Sequence, residues 1–320
     1  MTPNTAVTQI RRNKRAAARR STNKARCARR RAAKRPTTIG YVLYENPNIV
    51  VIVTLRSKNP KTGPMLQVWI LPRDVDPMTA VKLGLDDVVC FDCKHRGNKT
   101  ATIKSKRTKR TCYVQVGKAP LGIWRAYHRG RYEHLKPEGY GAVFTGQKVR
   151  WGAYGEPVLI PVDILQAITA VSDGWTGYTH QWRRPEYQVY RSYVMASVDS
   201  PAEYFEAQRM GWRTFRCRTA ADVVLPGEII CPATPEGNHK SICSKCRLCD
   251  GAHGAADGRK SIVIIVHGAG AKSFVSVDSL IASAAVLPTL PAADVKLSAA
   301  ARDAYIAARF GAEHVPQVTQ

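Results

Sequence analysis

Hydrophobic positions along the chain follow two periods. In "IVVIVTLRSKNPKTGPMLQVWIL" (49–71), two apolar, β-branched runs flank a Lys-Asn-Pro-Lys-Thr-Gly turn, which predicts a β-hairpin. "DPMTAVKLGL" reads as a short helix, and "VVCFDC" as the start of a strand running into the first cysteine pair. "KVRWGAY" predicts a strand, and "PVDILQAITAV" has the apolar spacing of a helix. "WTGYTH" and "YVMASVD" read as strands. "SPAEYFEAQRMG" has Ser200 as N-cap, Pro201 at the first helical position and Gly211 after its end, which predicts a helix. "RTFRCR" and "GEIICPA" are expected strands, and "KSIVIIVHG" a buried apolar one. After residue 275 an Ala/Pro-rich segment leads to a last amphipathic helix, "SAAARDAYIAARFG". Strands alternating with helices imply an α/β fold with mostly parallel strands.

Length and composition allow a substantial core, since 44% of the 320 residues are hydrophobic. No run of eighteen apolar residues is present, so no transmembrane helix is expected. The basic N-terminus lacks the apolar segment of a secretory signal, and the expected location is cytoplasmic. In a reducing compartment, nine cysteines favour metal ligands or free thiols over disulfides.

The charge of +25 is concentrated near the N-terminus. Residues 11–35 hold thirteen Lys/Arg, and the first acidic residue is Glu45. Such a block cannot bury itself, so residues 1–36 are expected to be a disordered basic tail. Arg11, Arg12, Lys14, Arg15, Arg19, Arg20, Arg29, Arg30 and Arg31 are its candidate nucleic-acid contacts, acting on phosphates without reading sequence. A solvated tail and a targeting segment are the competing readings.

Four cysteines fall within nineteen positions in "CPATPEGNHKSICSKCRLC" (231–249). Cys243, Cys246 and Cys249 are spaced C-x2-C-x2-C, and Cys231 is followed by proline. Bacterial ferredoxins use such a run with a remote Cys-Pro for iron–sulfur clusters, and four thiolates equally suit a tetrahedral zinc. A second set comprises Cys90, Cys93 and, after eighteen residues, Cys112. Three thiolates leave a coordination position open, which suits catalysis, unless His95 completes a structural site. The eight Lys/Arg between Cys93 and Cys112 make either a solvated loop or a phosphate-contacting surface. Cys27 and Cys217 read as isolated residues of the tail and of a strand.

Other unusual residues also fall at the carboxyl ends of expected strands, where chemistry gathers in parallel sheets. They are Gly155, Glu156 and Pro157, then His180 and Gln181, then Ser197 and Asp199. His180 and Asp199 are the catalytic candidates, against the plainer readings of a satisfied loop histidine and a helix-capping carboxylate. Trp175, Tyr178 and Trp182 can stack on a base, with Arg183 and Arg184 on phosphates, or can simply fill the core.

"GAYGEPVLIPVDIL" resembles the Gly-Glu-Pro segment after the second barrel strand of radical S-adenosylmethionine (radical SAM) proteins. "YVMASVD" with its following helix resembles their fourth-strand Ser-x-Asp segment, and 231–249 is similar to auxiliary cluster loops in some of them. The cysteine motifs with "GAYGEP" and "GWTGYTHQW" also resemble a group of bacteriophage-encoded proteins, which would place the chain in a host cytoplasm. The likeness spans about residues 88–268. It implies a partial (β/α) barrel over 87–270, preceded by a hairpin and short helix (37–86) and followed by an extension (271–320). It further implies one or two [4Fe–4S] clusters and SAM, with Cys90, Cys93 and Cys112 as cluster ligands. Gly155 and Glu156 would then face the SAM amino group, with Ser197 and Asp199 lining the same mouth. One departure stands out: radical SAM proteins typically carry C-x3-C-x2-C in a single loop, whereas here Cys112 is distant. A metal-stapled, non-enzymatic nucleic-acid-binding protein is the alternative.

Overall fold

A computed structural model describes residues 38–97, 109–254, 256–268 and 270–274. The tail residues from Arg11 to Arg31, most of the basic stretch between Cys93 and Cys112, and the expected terminal helix lie outside the described residues.

The architecture is mixed α/β with two sheets. In the first, six strands run in the order β4-β1-β2-β3-β5-β6. They are β1 (Gly40–Glu45), β2 (Ile49–Thr54), β3 (Leu66–Pro72), β4 (Glu133–His134), β5 (Lys148–Tyr154) and β6 (Gly174–Thr176). The expected hairpin is β2–β3, antiparallel in the register Ile49↔Pro72 to Thr54↔Gln67. The sequence reading missed β1, which pairs antiparallel with β2 on its other side. Ile49 to Val53 are nearly inaccessible, as expected of a continuous β-branched run covered on both faces. From β3 onward the pairing is parallel, β3 to β5 and β5 to β6. The hairpin is thus continuous with the parallel part of the sheet.

The second sheet is parallel throughout, in the order β10-β11-β9-β8-β7. Its strands are β7 (Tyr178–Thr179), β8 (Met195–Val198), β9 (Thr214–Arg218), β10 (Glu228–Ile230) and β11 (Ser261–Ile265). Only Gly177 separates β6 from β7, so one segment serves both sheets. A Cβ at Gly177 would stand 2.6 Å from Val194 Cγ1 and 3.0 Å from Trp151 Cβ. The absent side chain permits this close passage between sheets.

The expected helices form at Pro77–Leu83, Val162–Val171 and Pro201–Arg209. Asp76 caps the first by accepting from Met78 N and Thr79 N at 3.0 and 3.2 Å. Helices at Ala119–Tyr127 and Tyr140–Phe144 were not anticipated. One expectation fails: "VVCFDC" is not a strand, because Asp87–Cys90 is a short helix. Cys90 N donates to Asp86 O at 3.0 Å, and Phe91 turns the chain at φ 49°. The apolar Val88–Val89 pair looks strand-like in isolation, but Val89 is a helical residue set against the core beside β3. Fully buried Trp151, Trp182, Trp212 and Phe144 fill the main core.

Candidate metal centre

Both cysteine sets open onto one cavity of about 450 Å³, the three-thiol set beside the carboxyl ends of parallel strands and the C-x2-C-x2-C loop against the turn that precedes β3 and the start of β6. Cys90, Cys93 and Cys112 line it together with Cys231, Cys243, Cys246 and Cys249.

The first set is assembled by long-range contacts. The Asp86 carboxylate accepts from Arg96 Nη2 at 2.8 Å and Arg110 Nη1 at 3.2 Å, tying together the two flanks of the insertion. Thr111 N and Cys112 N both reach His95 O at 3.1 Å, which returns Cys112 to the side of Cys93. Burial raises the thiol pKa of Cys90 well above its ordinary value, with Cys93 and Glu156 adding to the shift. Burial also raises Cys112, against the pull of Arg110. Two buried polar atoms here lack a partner, Arg110 Nη2 and Tyr154 Oη. Both side chains lie close enough to Cys90 and Cys112 to interact electrostatically with them.

The second set is held by three elements. Cys231 leaves β10 with its N–H on Val263 O at 2.9 Å. Cys243 N and Ser244 N donate to Lys61 O and Thr62 O, both at 3.0 Å, so the β2–β3 turn anchors the C-x2-C-x2-C loop. Gly63 in that turn has φ 68°, and a Cβ there would stand 2.6 Å from Ser244 Oγ. Cys249 O accepts from Gly177 N at 2.9 Å, joining the loop to the segment shared by the sheets. Burial raises the pKa of Cys243, and that of Cys231.

Between the two sets stand the residues from the other strand ends. Gly155 has φ 82°, and a Cβ there would lie 2.7 Å from Ile70 O, so only glycine fits. It delivers Glu156, whose N–H reaches Val89 O at 2.8 Å. The Glu156 carboxylate is already engaged: Thr179 Oγ1 donates to it at 2.6 Å and His180 N at 3.2 Å, and His180 Nδ1 lies 3.0 Å away. Burial opposes charge on His180, but Cys93 and Glu156 outweigh it and raise its pKa well above the usual histidine value.

Ser197 lines the cavity from β8. Asp199 does not cap the next helix; Ser200 does, accepting from Glu203 N at 3.2 Å. The Asp199 carboxylate instead meets His95 Nε2 and Lys94 Nζ, each at 2.9 Å, and Oδ1 has no partner. Burial works against its charge, yet His95 and Lys94 hold its pKa below the usual range.

Among the described residues, two groups of three side chains have all their donor atoms within 4.8 Å of one another and could hold a metal ion. They are Cys93–Glu156–His180 and His95–His180–Asp199. Neither cysteine set is drawn in that tightly.

The sequence reading treated Cys217 as an isolated strand residue, yet it lines this cavity, with its pKa pushed up to about 12 by burial. Period-2 alternation along "RTFRCR" was the available signal. Of the aromatic residues read either as a stacking platform or as core, Trp182 belongs to the core. Trp182 is buried with Nε1 on Ser197 O at 3.1 Å, and Arg183 covers its ring while pairing with Glu206. Trp175 donates to Asp250 O at 3.0 Å. Among the described residues no helix is long and apolar enough to cross a membrane. The chain matches no family model, and neither a curated protein nor a solved structure is significantly similar to it.

Proposed function

We propose that this is an iron–sulfur protein of radical SAM-like architecture, acting on or near nucleic acid. In this reading the two sheets, joined at Gly177, form the wall of a partial barrel whose mouth is the cysteine-lined cavity. The observation that carries it is the convergence of a three-thiol and a four-thiol set on one cavity lined by residues of parallel strands. Cys231, Cys243, Cys246 and Cys249 would hold one cluster completely. Cys90, Cys93 and Cys112 would hold another with one iron open, where SAM would supply one-electron chemistry.

The residues fit such groups in two respects. A tetrahedral zinc with bonds of about 2.3 Å brings its sulfurs to about 3.8 Å from one another. Among the described residues, no three of these sulfurs all lie within 4.8 Å of one another. A cubane spreads its thiolates wider than a single zinc ion does, in keeping with the looser arrangement. Arg110 Nη2 and Tyr154 Oη are buried donors lacking an acceptor beside the three-thiol set, and cluster sulfurs would accept from them. Glu156 orients His180 through two contacts, so its carboxylate reaches an incoming ammonium only by exchanging one of them. Nucleic-acid contact rests on the thirteen cations of residues 11–35.

The test is metal and sulfide analysis of anaerobically purified protein, with electron paramagnetic resonance of the reduced form with and without SAM. Two clusters are expected, one of them responsive to SAM. Cys112→Ala should remove only the responsive signal, and Cys246→Ser only the other. A colourless protein with stoichiometric zinc refutes the reading in favour of a structural metal protein.

A further inference from the structure

We propose that His95, His180 and Asp199 form a mononuclear site for a divalent cation such as Mn²⁺ or Fe²⁺, with no thiolate among its ligands although Cys93 lies beside His180. Two histidines and one carboxylate, with positions left open, are the donor set of non-haem iron and manganese sites. The donor atoms of the three side chains lie within 4.8 Å of one another.

Both rings are already oriented as ligands are. His180 Nδ1 is held by Glu156 Oε1 at 3.0 Å, and His95 Nδ1 by Thr111 Oγ1 at 2.7 Å. A partner on Nδ1 makes Nε2 the metal-binding nitrogen of each ring, and such outer partners set tautomer and orientation. His95 Nε2 now meets Asp199 Oδ2, and the His180 ring also bonds Cys93, contacts that a metal would displace. The His95 ring is further confined by Phe274, stacked at 5.9 Å, and by His180, edge-on at 5.2 Å.

Asp199 supplies the anion and an unexplained vacancy in the hydrogen bonding. Its side chain is only 4% exposed, and Oδ1 has no partner. A buried carboxylate oxygen without a donor is costly, and a cation beside it would remove that cost. In the present arrangement a proton lies between His95 Nε2 and Asp199 Oδ2, 2.9 Å apart. A divalent cation would take the place of that proton. Thr111 Oγ1 can accept as well as donate, so it accommodates the change of tautomer at His95 Nδ1. Glu156 favours any cation on the His180 ring, metal or proton alike. Lys94 competes for Oδ2 at 2.9 Å, but it is half exposed and bonded equally to Glu203 at 3.1 Å, an alternative partner when metal binds.

Manganese discriminates this site from the thiols, because Mn²⁺ prefers nitrogen and oxygen donors and thiolates select softer metals. The full-length protein, freed of labile metal, would be titrated anaerobically with Mn²⁺ while the free-ion paramagnetic resonance signal is followed. One bound Mn²⁺ per chain is expected. Asp199→Asn should weaken binding by more than about a hundredfold, because losing a ligand costs more than losing an outer partner, itself worth roughly ten- to hundredfold. His95→Gln should do the same, and serves alone if Asp199→Asn does not fold by circular dichroism. No binding at millimolar Mn²⁺, or either folded variant titrating like wild type, overturns the proposal. Iron and sulfide contents are measured on the same samples. They report the iron–sulfur reading separately, so either idea can fail without the other.

Discussion

Replacing Gly155 by alanine perturbs the fold and the site through one methyl group, and the structure separates its two costs. Gly155 sits at φ 82°, where an L-residue pays about 1–2 kcal/mol for its backbone conformation. The added Cβ would also stand 2.7 Å from both Ile70 O and Ile70 Cβ. These atoms belong to β3, the partner of β5, and cannot move as a flexible side chain would. Overpacking of that kind adds about 1–3 kcal/mol, so Gly155→Ala should cost about 2–5 kcal/mol in total. At about 2–4 °C per kcal/mol for a domain of this size, the melting temperature should fall by about 4–20 °C. Gly146 provides the internal reference. It has φ 73°, but its Cβ would meet nothing within 4 Å, so Gly146→Ala should carry the backbone cost alone. The assay is chemical denaturation of both variants beside wild type, with metal content measured on each. Gly155→Ala should also lose metal from the three-thiol set, because displacing residue 155 shifts Glu156 and its contact with Val89 beside Cys90. If Gly155→Ala is no less stable than Gly146→Ala, the close-approach argument is wrong.

Three further outcomes are expected. The Arg216–Glu228 pair is bidentate at 2.7 Å and almost wholly buried, so Glu228→Ala should cost about 3–5 kcal/mol by denaturation; a loss under about 1 kcal/mol would show that the pair is not a buried one. Asp76→Ala should cost about 0.5–2 kcal/mol through its lost cap. Hydrogen bonding from Thr79 lowers the Asp76 pKa despite some burial, so the folded state gains stability above the ordinary aspartate value of about 3.9. That gain is lost as pH falls through the lower folded value, and the wild-type–Asp76→Ala difference should shrink with it; a difference that grows on acidification contradicts the assignment. Deleting residues 1–36 should flatten the salt dependence of polyanion binding, measured by titration at several ionic strengths, because residues 11–35 carry thirteen of the cations; an unchanged slope would place the contacts elsewhere.

Local signals carried well from chain to fold. Ser200 was legible as a cap because capping acts within three residues, whereas the cap at Asp76 was not singled out. The strands around Trp151 and Cys217 were legible because a period of two reports a pleated surface directly, and the 49–71 hairpin and the strand around Ser197 because short apolar runs between turn signals mark fully buried strands. The spacing of Cys243, Cys246 and Cys249 named a thiol unit, since neighbouring ligands on one short loop converge without help from the rest of the chain. The helix at Asp87–Cys90 was misread because four residues hold too little pattern to separate a helical turn from a strand start.

What tertiary structure decided lies beyond the reach of spacing. Cys112 returns to Cys93 because Asp86 binds Arg96 and Arg110 from both sides of an eighteen-residue insertion, and no periodicity encodes that closure. His95 and Asp199 stand 104 residues apart in sequence and 2.9 Å apart in space. Both thiol sets reach one cavity because residues of β5, β8, β9 and β11 line it between the three-thiol set and the C-x2-C-x2-C loop, which is anchored at the β2–β3 turn. Chain order states which residues follow each strand. Only pairing between strands, which depends on contacts among distant residues, determines which of those residues meet.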